Sequence, residues 1–161
     1  NIILAAEQAK ALVKDKEIIV VPSKTVPQGI TAMMNVDFDA PDAQTITDAM
    51  TGSLSSVTTA QITYAARDSD FDGFAINEGD YLALLDGKLF GTERDITSLL
   101  TRLAALAAER EAAFVTLFYG EGVSQEEAEA AQALFTEACP ETEISLLSGG
   151  QPVYYYTISI E

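Results

Sequence analysis

The chain has 161 residues, with nine Lys and Arg against 25 Asp and Glu, a formal charge of −16, one cysteine and no histidine. Its length fits one domain, or one domain with two lobes, and an apolar share of 48% with 21% charged residues excludes a disordered or fibrous segment. Such a charge repels nucleic acid and anionic membranes, the missing histidine removes imidazole-based catalysis and His-ligated metals, and the apolar runs fall far short of the roughly 20 residues of a membrane span.

Asn1 stands where an initiating Met would, and is read as the start of a segment taken from a longer protein. Cys139, before Pro140 at the end of a predicted helix, cannot form an intramolecular disulfide; it is expected to pack rather than react, and it suits a reducing, cytoplasmic setting. Arg110 is the last basic residue, and every charge after it is a glutamate. A basic partner could be steered toward that half, and a solvated face that aids solubility explains the same pattern.

Ile2 to Val13 has apolar and Ala positions at helical spacing. Ile18 to Val21 is a β-branched, uninterrupted run that predicts a buried parallel strand, ended by Pro22. Pro27 suits a first helical turn, continued by Gly29 to Met34. A helix is predicted from Asp42, its cap, to Leu54, and a strand from Val57 to Tyr64. Ala65 to Gly79 is predicted to be loop-rich. Tyr81 to Leu85 and Lys88 to Phe90 flank Asp86-Gly87, the signature of a tight hairpin. Ile96, Leu99, Leu100, Leu103, Leu106 and Ala107 trace a helical stripe behind Asp95. An apolar strand, Phe114 to Phe118, precedes Ser124 and Glu127, an S-x-x-E capping box that opens a helix to about Ala138. Ile144 to Leu147 and Tyr154 to Ile160 are the last strands, joined through Gly149-Gly150-Gln151-Pro152. This order predicts an α/β fold, a mixed and mostly parallel sheet flanked by helices. Residues 1–161 are read as a single domain, and each half carries a strand, helix, strand unit compatible with two βα lobes of about 1–92 and 93–161.

Ser23, Lys24, Thr25 and Gln28 lie between the predicted strand and a helix start, where a carboxylate or phosphate could bind, although a structural turn explains them too. G-x-x-x-x-G-K-[ST] is missing, so this is no Walker phosphate loop. Arg67, Asp68, Asp70 and Asp72 precede Gly73 in the opening spacing of a calcium loop. Gly79 stands where the bidentate Glu belongs and Glu78 comes one position early, so a polar turn braced by Arg67 is expected and no metal is assigned. Gly149, Gly150 and Gln151 could bring backbone close to a ligand, or merely connect strands. Tyr154, Tyr155 and Tyr156 should alternate sides, leaving at least one hydroxyl outward. No catalytic residue is assigned.

Taken together, NIILAAEQAK, VVPSKTVPQGI, QITYAARDSDFDGFAINEGDYLALLDGKL, TLFYGEGVSQEEAEAAQALF and SGGQPVYYYTISIE resemble the C-terminal domain of the bacterial fatty acid kinase A subunit, over almost the whole chain and in the family's order. The resemblance implies a fold of the DegV and dihydroxyacetone kinase group. It also implies a place behind a nucleotide-binding domain, which would hold ATP and magnesium, and a middle domain; no cofactor is implied here. In that system the kinase subunit phosphorylates a fatty acid held by a separate DegV-like carrier protein, making acyl phosphate for phospholipid synthesis. The implied role is therefore non-catalytic, engaging the carrier and the other domains of the kinase. The alternative is a small-ligand module for a fatty acid or triose, with Lys24, Thr25, Arg67 and the Gly149-Gly150 turn converging on one site; an architectural homodimer is a third reading. Val153 stands where the family commonly has histidine and Tyr155 where proline is common, so no role resting on that histidine carries over.

Overall fold

Asp42, Asp95 and Ser124 cap three helices of the computed structural model where the sequence places those caps. Residues 2–71 and 74–161 are described, the side chains of Phe71 and Phe74 excepted. They form two compact units, Asn1–Val57 and Thr58–Glu161.

The first unit comprises α1 (Ile2–Leu12), α2 (Val26–Met34), α3 (Ala43–Ser53) and a short 3-10 turn over Leu54–Ser56. Thr25 caps α2, its hydroxyl accepting the Gln28 N–H at 3.3 Å, and Asp42 caps α3, accepting the Thr45 N–H at 2.8 Å. The predicted strand over Ile18–Val21 does not form: this stretch has no ladder partner among the described residues, and Ile18 and Ile19 are exposed. A β-branched run makes a strand only where a neighbouring strand takes up its backbone groups, and the described residues of this unit contain none.

The second unit is built on a six-stranded sheet whose strands are β1 (Thr58–Tyr64), β4 (Tyr81–Leu85), β5 (Lys88–Glu93), β6 (Phe114–Tyr119), β7 (Glu143–Ser148) and β8 (Tyr156–Ile160). Their order is β5-β4-β1-β8-β6-β7. The α/β class and the mixed sheet match the sequence reading, but the mostly parallel pairing does not. Within this sheet only β6 and β7 run parallel; every other neighbouring pair is antiparallel. Parallel neighbours need a crossover, and only α5 (Gln125–Ala138) joins two adjacent strands, whereas α4 (Ile96–Glu109) carries the chain from β5 to β6 across the sheet. Ala65–Gly79, predicted to be loop-rich, contains a small hairpin of β2 (Ser69–Phe71) and β3 (Phe74–Ile76). Asp72 and Gly73, the end of the calcium-loop-like spacing, lie outside the described residues.

The Asp86-Gly87 turn closes β4 on β5 with both φ angles positive, 49° and 79°, as a tight two-residue hairpin requires. Asp86 also accepts the Thr59 N–H and donates its own N–H to the Thr59 carbonyl, each at 2.8 Å, fixing the turn to β1. Leu99, Leu103 and Ala107 of α4 and Ala131 and Phe135 of α5 pack with Ile62, Val115, Leu117, Ile158 and Ile160 in one buried cluster. Cys139 ends α5 inside it, its thiol donating to the Ala104 carbonyl at 3.4 Å and pushed up in pKa by burial, the packing role expected of it.

All five residues of β8 are buried, and β8 pairs with β1 on one side and β6 on the other. Ile158 is fully enclosed, so Ile158→Ala should lower unfolding free energy by about 2–5 kcal/mol, measured by denaturant titration. Tyr156 is also enclosed, its hydroxyl donating to the Glu127 carbonyl at 3.2 Å. Burial, assisted by the nearby Glu127 charge, pushes its phenol up to about 12. Because the folded value lies above the unfolded value of about 10, the stability Tyr156 contributes is complete below about pH 10 and is lost as pH rises through the folded value. Denaturant midpoints across alkaline pH should fall for the wild type and fall less steeply for Tyr156→Phe.

Candidate partner-binding site

The residues singled out in the sequence are divided between the two units. Ser23, Lys24, Thr25 and Gln28 belong to the first unit, around the start of α2. Gln28 is a brace: its Oε1 accepts the Lys24 N–H at 2.9 Å, and its amide donates to the Leu54 carbonyl at 3.3 Å. Ser23, Lys24 and Thr25 border a concavity of about 730 Å³ with Ile2, Ile3, Val26 and Gly29, so one ammonium faces a mainly apolar wall.

Arg67 and Asp68 belong to the second unit, in the turn after β1. Asp68 accepts the Glu78 N–H at 2.7 Å, which closes the turn that carries β2 and β3. Among the described residues no cluster of three or more carboxylates or thiols could hold a metal ion.

Gly149, Gly150, Gln151 and Tyr154 do come together, at the ends of β6 and β7. The Gly149 and Gly150 N–H groups donate to the Tyr119 carbonyl at 2.9 and 3.2 Å, and the Gln151 side-chain amide donates to the Phe118 carbonyl at 2.9 Å. Across from them Gly120 follows β6. A Cβ there would collide with the Tyr154 carbonyl oxygen and lie 2.7 Å from the Gln151 carbonyl oxygen, so only glycine lets the two segments meet. The Gly120 N–H then donates to the Tyr155 carbonyl at 2.9 Å, and the Glu121 N–H to the Gln151 carbonyl at 3.1 Å. Val153 sits at φ 71°, uncommon for a β-branched residue, with its carbonyl accepting the Thr63 hydroxyl at 2.9 Å.

This turn sets three tyrosines edge to face. Tyr155 lies 6.3 Å from Tyr64 and 5.4 Å from Tyr81, centroid to centroid, at 68° and 71°. Two concavities flank Tyr155. One, of about 300 Å³, is bordered by Tyr64, Glu121, Gln151, Pro152, Val153 and Tyr154; the other, of about 370 Å³, runs between the first turns of α4 and α5. Among the described residues, Glu121 and Glu127 are the only charged groups that line them. Ser124's hydroxyl and N–H hold the Glu127 carboxyl below its ordinary range, so it is ionised at neutral pH. Of the three consecutive tyrosines expected to alternate on a strand, only Tyr156 is in β8; Tyr154 and Tyr155 are half-buried in the preceding turn. The sequence reading missed Tyr64, Tyr81, Gly120, Glu121 and Gly122 as site residues. Two glycines directly after a strand, at 120 and 122, were the available signal.

Comparison with known proteins matches the fold and the chain together. Residues 1–161 match the family model described as fatty acid kinase A-subunit-like, C-terminal. Protein YloV of Bacillus subtilis strain 168 is 37% identical over the whole chain, and an uncharacterized protein of Staphylococcus aureus strain USA300 is 31% identical over the same length. The chain spans 29% of the length of each of these relatives. Among solved structures, a DegV family protein from Corynebacterium glutamicum superposes with a TM-score of 0.72 at 17% identity, over 98% of this chain and 68% of that one. The dihydroxyacetone kinase of C. freundii, in complex with AMP-PNP and Mg2+, superposes with a TM-score of 0.58 at 13% identity, over 98% and 35%. A fatty acid binding DegV family protein of Streptococcus agalactiae gives 0.54 at 16% identity, over 83% and 54%. The chain thus has a DegV and dihydroxyacetone kinase-like fold and belongs to the C-terminal family of fatty acid kinase A-subunit-like proteins.

Proposed function

We propose that this chain is the non-catalytic C-terminal part of a fatty acid kinase subunit, and that it engages the DegV-like carrier that presents the fatty acid for acyl phosphate formation. The observation that carries the proposal is the pair of tyrosine-lined concavities beside Glu121 and Glu127, on a unit whose sequence after Arg110 has no Lys or Arg. Long-range attraction would bring a basic carrier surface toward this half, and half-buried aromatic side chains would supply contact area at modest entropic cost. ATP and magnesium are assigned to other parts of the longer protein. The apolar residues Ile2, Leu4 and Leu12, exposed on α1, fit a surface covered by those parts.

Steering of this kind is screened over a Debye length of about 10 Å at 0.1 M salt. Carrier association, followed by surface plasmon resonance, should therefore slow about tenfold or more from low to high ionic strength. Replacing the exposed Glu126 and Glu129 with Gln should lower the association rate and flatten that salt dependence. Tyr154→Ala should instead raise dissociation, by about fivefold or more. Immobilised carrier that captures the longer kinase protein equally well with and without this chain, at every salt concentration, would sink the proposal.

The concavity beside Lys24 favours a second reading, a small-ligand module in which Lys24 meets a carboxylate and Ile2, Ile3 and Val26 meet an acyl chain. The concavity beside Lys24 is bordered by residues of the first unit. Added oleate should raise the Tm of the chain, and Lys24→Ala should reduce that rise; no thermal shift and no co-purifying lipid by native mass spectrometry would rule it out.

A further inference from the structure

We infer that the groove between the first turns of α4 and α5, walled by Tyr81 and Tyr155, receives an arginine side chain of the partner protein. The inference rests on the partner-engaging reading and names the chemistry of one contact within it. The groove is about 370 Å³, and its apolar lining includes Leu100, Val123 and Leu134. An all-apolar groove would suit an aliphatic side chain or an acyl chain. This one is lined by the phenol rings of Tyr81 and Tyr155 and by Glu127, an ionised carboxylate, which together call for a ligand with an apolar stem and a cationic, planar head. Arginine has that form: its methylenes lie on apolar surface, while its guanidinium stacks on aromatic faces and accepts carboxylate pairing.

An anion is the main rival, because two helix N-termini border the groove and such termini attract negative charge. Here the caps occupy part of each donor set and add negative charge beside it. Asp95 accepts the Thr97 and Ser98 N–H groups, each at 3.2 Å, and the Ser124 hydroxyl accepts the Glu127 N–H at 3.3 Å. The caps thereby place a carboxylate at each helix start. Glu127 takes the Ser124 N–H and hydroxyl on Oε2, at 2.8 and 2.7 Å, which leaves acceptor capacity on Oε1 for an incoming guanidinium. Tyr155 is held in position from behind, its N–H donating to the Ile62 carbonyl at 2.8 Å and its carbonyl accepting from Gly120. With Tyr155 and Tyr81 only 5.4 Å apart, a cation over one ring lies near both. The chain builds the same pairing internally: the Arg102 guanidinium carbon is 5.0 Å from the Phe90 ring centroid, and its Nη1 is 3.1 Å from Glu93 Oε1. Arg102 is thus already engaged, and among the described residues no Lys or Arg lines the groove itself.

The test uses aromatic NMR of the full chain titrated with N-acetyl-argininamide, its neutral isostere N-acetyl-citrullinamide, and N-acetyl-norleucinamide. Arginine should shift the Tyr81 and Tyr155 ring signals and bind at least about fivefold more tightly than either control. Glu127→Gln, which keeps the capping box, should remove most of that preference. Equal response to citrulline or norleucine would overturn the cationic occupant. In parallel, Tyr155→Leu and Tyr81→Leu, each checked for folding by circular dichroism, should weaken carrier binding about tenfold. A carrier that binds these variants and Glu127→Gln as tightly as wild type would overturn the groove as a contact and leave carrier engagement standing. A carrier that fails to bind the wild type would remove carrier engagement, while the amide titration would still decide the groove.

Discussion

Insertion of β8 between β1 and β6 is the constraint on which the second unit depends. The sheet consists of an antiparallel half, β5-β4-β1, and a parallel pair, β6-β7, and β8 is the one strand hydrogen-bonded to both. Its alternation serves two faces: Tyr156, Ile158 and Ile160 belong to the cluster under α4 and α5, while Thr157 and Ser159 are buried too. The approach of the chain to β8 also arranges the site. Tyr155 donates to β1 and accepts from Gly120 at the end of β6, so the bonds that join the halves of the sheet also fix the aromatic wall.

The division between what was legible in the sequence and what was not follows the range of the interactions. Asp42, Asp95 and the Ser124–Glu127 box act within three residues, and each cap sits where the sequence placed it. The Asp86-Gly87 turn is equally local. Ile18–Val21 had the composition of a strand, but strand formation depends on a partner elsewhere in the chain, which composition cannot report. The excess of antiparallel pairing has the same origin, because strand order is set by which distant segments bury each other. Gly149, Gly150, Gln151 and Tyr154 could be grouped from the sequence because they lie within six residues of one another. Tyr64, Tyr81 and Tyr155 come from three separated segments, and only the pairings of β1 with β4 and β8 bring them together.

The electrostatics of the second unit work on two length scales. Its many glutamates act collectively and at a distance, so losing any one of them changes little. Asp95 and Glu127 act locally, because each offsets the positive end of a helix and occupies its N–H donors or those of its cap. A helix start that would otherwise be an anion site is converted by its own cap into an acidic margin. Acidity here is therefore partly a by-product of the chemistry that begins the helices, and the polarity of the groove is tied to the stability of α4 and α5.

The position of β8 has a consequence in time as well as in space. It follows every other strand of the sheet along the chain, yet it occupies an interior place. As the polypeptide emerges from the ribosome, β1, β4 and β5 can pair early, and β6 and β7 can pair later, but each half presents an open edge where β8 will go. Until Ile160 has been made and has cleared the exit tunnel, those edges are unpaired backbone of the kind that pairs with other chains. Closure of the sheet is thus a late event governed by long sequence separation, which slows folding relative to helix formation. The interval between synthesis of β1 and arrival of β8 is when this unit is most exposed to aggregation and to chaperones.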